Sequence, residues 1–182
     1  MSTLAIPRPL PDEAAPFYQR YIEQVRDENI VEQLSSQLQE AEALFGPLDE
    51  VRGRQRYAPG KWSVKEVLGH ISDAERIFSY RILRIARGDS TPLPGFDENA
   101  YVPAAKFDQQ SLPSLMRGFR AVRHSSLHLV ETIPEEAWAR RGEASGSPIS
   151  ARALAYIVVG HVTHHLGVLR ERYGIGRFPG RS

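Results

Sequence analysis

Ser63-Val64-Lys65-Glu66-Val67-Leu68-Gly69-His70-Ile71-Ser72-Asp73-Ala74-Glu75-Arg76-Ile77-Phe78-Ser79-Tyr80-Arg81-Ile82-Leu83-Arg84-Ile85-Ala86-Arg87 reads as one helix, and that helix sets the architecture. Its first four residues have the form of a capping box: the serine caps the helix start and the glutamate reaches back to it. Val64, Leu68, Ile71, Phe78 and Ile82 then fall on one face at helical spacing. Gly88 supplies the stop. At about 24 residues the helix exceeds the globular mean, as helices in bundles do.

Three further segments read the same way. Asn29 to Phe45 carries the stripe Ile30, Leu34, Leu38, Ala41, Phe45 and ends at Gly46-Pro47. Ser111 to Glu131 has Pro113 in its first turn and the stripe Leu112, Leu115, Phe119, Val122, Ser126, Leu129, continued by Ile133. Ser150 caps a last helix, Ala151 to Tyr173, closed by Gly174. Four long amphipathic helices with almost no strand signal predict an all-α fold, a four-helix bundle. A short extra N-terminal helix is expected within Asp12 to Val25. The expected domain is residues 12–174, preceded by a proline-rich arm, 1–11, and followed by a flexible tail, 175–182. Residues 89–107 have no period and read as a long irregular loop, a feature that is often functional. Residues 140–149, polar and glycine-containing, also read as loop.

Composition narrows the chemistry. The chain has 182 residues, no cysteine and a formal net charge of +1. Disulfides, thiolate metal sites and a cysteine nucleophile are excluded, so any metal is held by nitrogen and oxygen. The basic residues are scattered, which argues against nucleic acid and acidic membranes as partners. No run approaches the roughly 18 apolar residues of a membrane span. Prolines stand at the N-terminus where a signal peptide needs an apolar stretch, so a cytoplasmic location is expected.

The histidines supply the candidate site. His161 and His165, four residues apart, share one helix face. That face is centred on the apolar stripe Leu154, Ile157, Val158, Val168, Leu169. Two imidazoles facing a core need partners, and either a metal or backbone and carboxylate groups would serve. His124 and His128 have the same spacing but lie opposite their stripe, and are expected in solvent. A catalytic zinc site usually takes three protein ligands, and His70, on the flank of its stripe, is the obvious third. Glu75 falls in the middle of that stripe. A carboxylate there needs an arginine, a histidine or a metal, unless it reaches solvent at the bundle end. It is a candidate fourth ligand, partner of a ligand histidine, or general base. Position 162 is valine, so the chain lacks the His-Glu-x-x-His of zincins.

Lys61-Trp62-Ser63, the segment Val67 to Arg76 around His70, Ile85 to Glu98, and Gly160-His161-Val162-Thr163-His164-His165 together resemble the DinB-like superfamily, in its branch of YfiT-type metal-dependent hydrolases. The resemblance spans roughly residues 15–174. It implies a four-helix bundle holding a divalent metal, often nickel or zinc, on three histidines that match His70, His161 and His165. It also implies that dimers are common, so a homodimer is expected. The leading functional expectation is a hydrolase in which the metal activates water for attack on a small-molecule substrate. Glu75, Asp97 and Glu98 are its candidate proton acceptors. A metal-dependent thiol transferase is the alternative enzyme; it would need a polar groove, which Arg81, Arg84 and Arg87 would furnish unless they form a solvated helix face. A stress-related bundle that binds a partner without catalysis is the third reading.

Overall fold

The structure is a computed structural model that describes residues 6–26 and 29–176. The four long helices are α2, Ile30–Phe45; α4, Val64–Ala86; α6, Leu112–Glu131; and α7, Ala151–Arg172. Three shorter ones are α1, Pro16–Ile22; α3, Glu50–Gly53; and α5, Glu98–Ala105. Each long helix starts on a side chain that accepts a backbone N–H of its first turn: Asn29 from Val31, Ser63 from Glu66, Ser111 from Ser114 and Ser150 from Ala153. At Ser63 both halves of the capping box are formed. α4 packs against α6 and α7, α2 closes the bundle against the same two, and α1 lies along α7. No helix among the described residues is long and apolar enough to cross a membrane.

Three segments differ from the sequence reading. Residues 140–149 form an antiparallel hairpin, β1 Arg141–Ala144 with β2 Ser147–Ser150. Its turn residues Ser145 and Gly146 both have positive φ, 54° and 74°, which a tight two-residue hairpin turn requires. Four-residue strands carry too little alternation to announce themselves. Residues 89–107 contain α5, capped by Asp97, and Leu93 bridges to Ala144 beside the hairpin. The eight residues of α5, with Pro103 inside, are too few for a helical period to stand out. The N-terminal helix is shorter than Asp12 to Val25: a 3-10 turn, Pro11–Glu13, precedes α1.

Within the described part of the arm Ile6 and Pro9 are buried, and the Ile6 carbonyl accepts from Tyr156 Oη at 3.1 Å. Ile175, at the start of the expected tail, is also buried. The rest of both segments, 1–5 and 177–182, lies outside the described residues.

The core is in two parts. One gathers Ile30 and Leu34 of α2, Phe78 to Ala86 of α4, the hairpin and α7 up to Val159. The other gathers Leu38 to Phe45, Val64 to Ile71, Leu112 to Phe119 and α7 from Val162. Between them lies a layer of buried polar side chains contributed by all four long helices: Gln37, His70, Glu75, Arg123 and His161.

Candidate metal centre

His161 sits where α7 crosses this layer, with one turn of helix carrying His165 onto the same face. α4 lies alongside, and its close packing on α7 turns the flank of its stripe inward. His70 is therefore buried, 6% exposed, although its angle alone placed it off centre. The His70 and His161 Nε2 atoms stand 3.1 Å apart, and the His161 and His165 Nε2 atoms also 3.1 Å. All three histidines offer a ligand atom within 4.8 Å of the others.

The donor set fits a divalent ion. Two nitrogens bound to one ion at about 2.1 Å stand about 3.0–3.4 Å apart, which the two close pairs match. Hydrogen bonding alone serves the trio poorly. His161 Nε2 contacts two other ring nitrogens, and one ring proton cannot bridge both well. A shared cation satisfies all three. Burial also keeps the rings in the neutral, ligating form: it holds His70 down to about 4. His161 and His165 lie well below the usual imidazole value, from burial first and then the neighbouring rings. Aromatic rings fix the orientation, with Trp62 4.7 Å from the His70 ring centre and Tyr21 5.3 Å from that of His161.

Two separate cavities border the histidines. One of about 160 Å³ is lined by His70 and His161 together with Glu98, Ser145 and aromatic side chains including Phe78 and Phe96. The other, about 320 Å³, is lined by His164, His165, Asn99, Trp62 and Tyr173.

The remaining candidates separate. Glu75 is 1% exposed, and its carboxylate accepts from Arg123 Nε at 2.8 Å and Nη2 at 2.7 Å. Arg123 Nη1 donates to the Leu34 carbonyl and to Gln37 Oε1, and Gln37 Nε2 donates to the Val159 carbonyl and Thr163 Oγ1. Glu75 thus meets an arginine, one of the three partners its position demanded, and stands outside the histidine group. The sequence reading missed Arg123. Its signal was present: Arg123 falls between Phe119 and Ser126 on the apolar stripe, facing the element that carries Glu75. Asp97 caps α5, accepting from Asn99 N at 2.9 Å, whereas Glu98 lines the cavity of His70 and His161.

Arg81 departs from a solvated face; it is 1% exposed. Arg84 pairs with Asp89, and Arg87 is exposed at the end of α4. His124 and His128 are both exposed, as their facing predicted.

Comparison with known proteins bears on this arrangement. The chain resembles YfiT from Bacillus subtilis, "a probable metal-dependent hydrolase with an unusual four-helix bundle topology" (TM-score 0.67, 17% identity, covering 91% of this chain and 93% of that one). It also resembles the mycothiol-dependent maleylpyruvate isomerase (TM-score 0.67, 12% identity, covering 85% of this chain and 63% of that one). At such identities the likeness is one of fold. No curated protein sequence matches. The family model of the DinB superfamily matches residues 33–169, a span that contains all three clustered histidines, and the chain belongs to that superfamily.

Proposed function

We propose that the protein is a metal-dependent hydrolase in which His70, His161 and His165 hold one divalent ion, nickel or zinc. The observation that supports this reading is the convergence of three buried Nε2 atoms from two helices. Imidazole donors without thiolate suit both metals. The ion, when bound, would supply Lewis acidity, able to polarise a carbonyl and to acidify water. Three protein ligands, with no fourth carboxylate or histidine in the group, favour a catalytic over a closed structural site.

The chain's own groups supply the rest. Glu98 borders the same cavity as His70 and His161 and is the proton acceptor in this reading. The aromatic wall of Phe17, Tyr18 and Phe78 restricts water around the reacting group. Glu75 holds Arg123.

The test is metal analysis of protein purified without a histidine tag. Near-stoichiometric nickel or zinc is expected in the parent and lost in His161→Ala and His165→Ala. Metal retained at parental level by both variants overturns the site. Metal-loaded protein is then assayed on amides, esters and thiol conjugates, with Glu98→Gln expected to lower kcat about 100-fold or more while metal content stays unchanged.

A second reading, metal-dependent thiol transfer, is supported by the fold shared with the mycothiol-dependent isomerase. Turnover that requires an added low-molecular-weight thiol would favour it; thiol-independent hydrolysis would favour the first.

A further inference from the structure

Two arginines are buried among the described residues, and they are treated differently by the fold. Arg123 has Glu75 for its charge. Arg81 has no carboxylate partner among the described residues. Its Nη2 donates to the Pro94 carbonyl at 2.7 Å and to Ser145 Oγ at 3.1 Å, both neutral acceptors. Its Nη1 is buried with no hydrogen-bond partner at all. An unpaired buried cation is strongly destabilising, and a buried polar group without a partner calls for an explanation, a bound ion among them.

Arg81 forms part of the wall of a cavity of about 260 Å³, whose other walls include Ile77, Leu93, Phe96, Tyr101 and Arg76, the last of which pairs with Asp73. Two contacts join this cavity to the histidine site. Phe96, whose ring centre is 6.0 Å from the Arg81 guanidinium carbon, also lines the cavity of His70 and His161. Ser145, which accepts from Arg81, lines that cavity too. A group anchored on Arg81 would therefore stand across Phe96 and Ser145 from the cavity of His70 and His161.

We propose that Arg81 anchors a subsite for a small organic carboxylate with an apolar or aromatic body, adjoining the three-histidine site. One unsatisfied guanidinium edge matches a monoanion, which takes charge-assisted hydrogen bonds from it. Largely apolar and aromatic walls with a few placed polar groups, here Arg81 and Arg76, are the usual make-up of a pocket for a carbon skeleton. The proposal deepens the hydrolase reading by naming the substrate class, and rests on that reading only for what happens after binding.

The experiment uses benzoate as probe, with benzamide and inorganic phosphate as controls, titrated calorimetrically into metal-free and metal-loaded protein. Benzoate is expected to bind both forms, and the two controls at least about tenfold more weakly. Arg81→Gln and Arg81→Lys are expected to weaken benzoate at least about tenfold, the lysine because it loses the planar fork. Circular dichroism checks that each variant is folded. A co-crystal structure of the parent with benzoate is the second measurement, and places the carboxylate within hydrogen-bond distance of Arg81 Nη1. The subsite is overturned by absent benzoate binding, by phosphate binding as tightly as benzoate, by unchanged affinity in a folded variant, or by a carboxylate seated elsewhere. Benzoate binding that vanishes with the metal also overturns it, by assigning the carboxylate to the ion, and leaves the hydrolase reading intact. Binding to metal-free protein through Arg81 supports the subsite even if the histidines hold no metal.

Discussion

Glu13 shows how one buried carboxylate ties distant parts of the chain together. It lies in the 3-10 turn before α1, 2% exposed. Its Oε2 accepts from Ser150 Oγ at 2.7 Å and Arg152 Nε at 2.6 Å, and its Oε1 from Arg152 Nη2. Ser150 is the N-cap of α7, so Glu13 fixes the start of the helix that carries two of the three histidines. The Arg152 guanidinium first, then Ser150, hold the Glu13 carboxyl below its ordinary value of 4.5. A lowered folded value means that the unfolded chain binds the proton more readily. The stabilisation is whole above the unfolded value and is lost as pH falls through the folded one. Urea unfolding should therefore show Glu13→Gln weaker than the parent by about 1–3 kcal/mol at pH 7, with the gap closing below pH 4. A gap that is constant with pH would assign the loss to packing. The Glu75–Arg123 pair makes a sharper case, because both partners are fully buried. Removing one leaves the other's charge stranded, so Glu75→Leu should cost about 3–5 kcal/mol. Glu75→Leu with Arg123→Met should recover much of that, and a double variant no more stable than the single one would refute the ion-pair account.

At the scale of elements, Gly160 decides how closely α1 approaches α7. A Cβ there would stand 2.0 Å from the Tyr21 carbonyl oxygen, a backbone atom that cannot swing aside. Gly160→Ala must push α1 off α7, and with it Tyr21, whose ring packs on both His161 and His164. We expect a loss of about 1–3 kcal/mol in denaturant unfolding and faster hydrogen exchange across α1. Parental stability and exchange in this variant would show that the contact is slack. This close approach was invisible in the sequence, as were the hairpin and α5, because each depends on long-range packing or on segments too short to show a period. The four long helices were legible, because stripe, cap and stop agree in each: Ser63 with Glu66 and Gly88 for α4, Ser150 and Gly174 for α7. The histidine trio was legible in part. Facing singled out His161 and His165 and rejected His124 and His128. Facing gave His70, on the flank, only partial support, and the resemblance of its segment supplied it as the third ligand. Glu75 could be marked as needing a partner, but only the fold supplies Arg123.

The whole molecule is a bundle whose apolar core is interrupted at mid-height. Gln37, Arg123 and Glu75 fill one side of that break and satisfy one another. His70, His161 and His165 fill the other, where three ring nitrogens meet at distances suited to a cation. The two sides are joined, since Gln37 Nε2 bonds the Val159 carbonyl and Thr163 Oγ1 within the α7 turn that presents His161. The ion-pair side therefore builds the scaffold against which the histidine side is held open. Such a site exists only when α4 and α7 are packed, so metal binding is linked to folding. A ligand that binds the folded state alone stabilises it by about 2.7 kcal/mol at a hundredfold excess over its dissociation constant. Protein stripped with chelator and then reloaded with nickel or zinc should accordingly gain several degrees in thermal midpoint. His70→Ala, which leaves α7 its own pair but removes the α4 ligand, should lose most of that gain, measured against the variant's own metal-free midpoint. If the metal raises the midpoint of His70→Ala as much as the parent's, His70 holds no ion and the metal does not bridge α4 and α7.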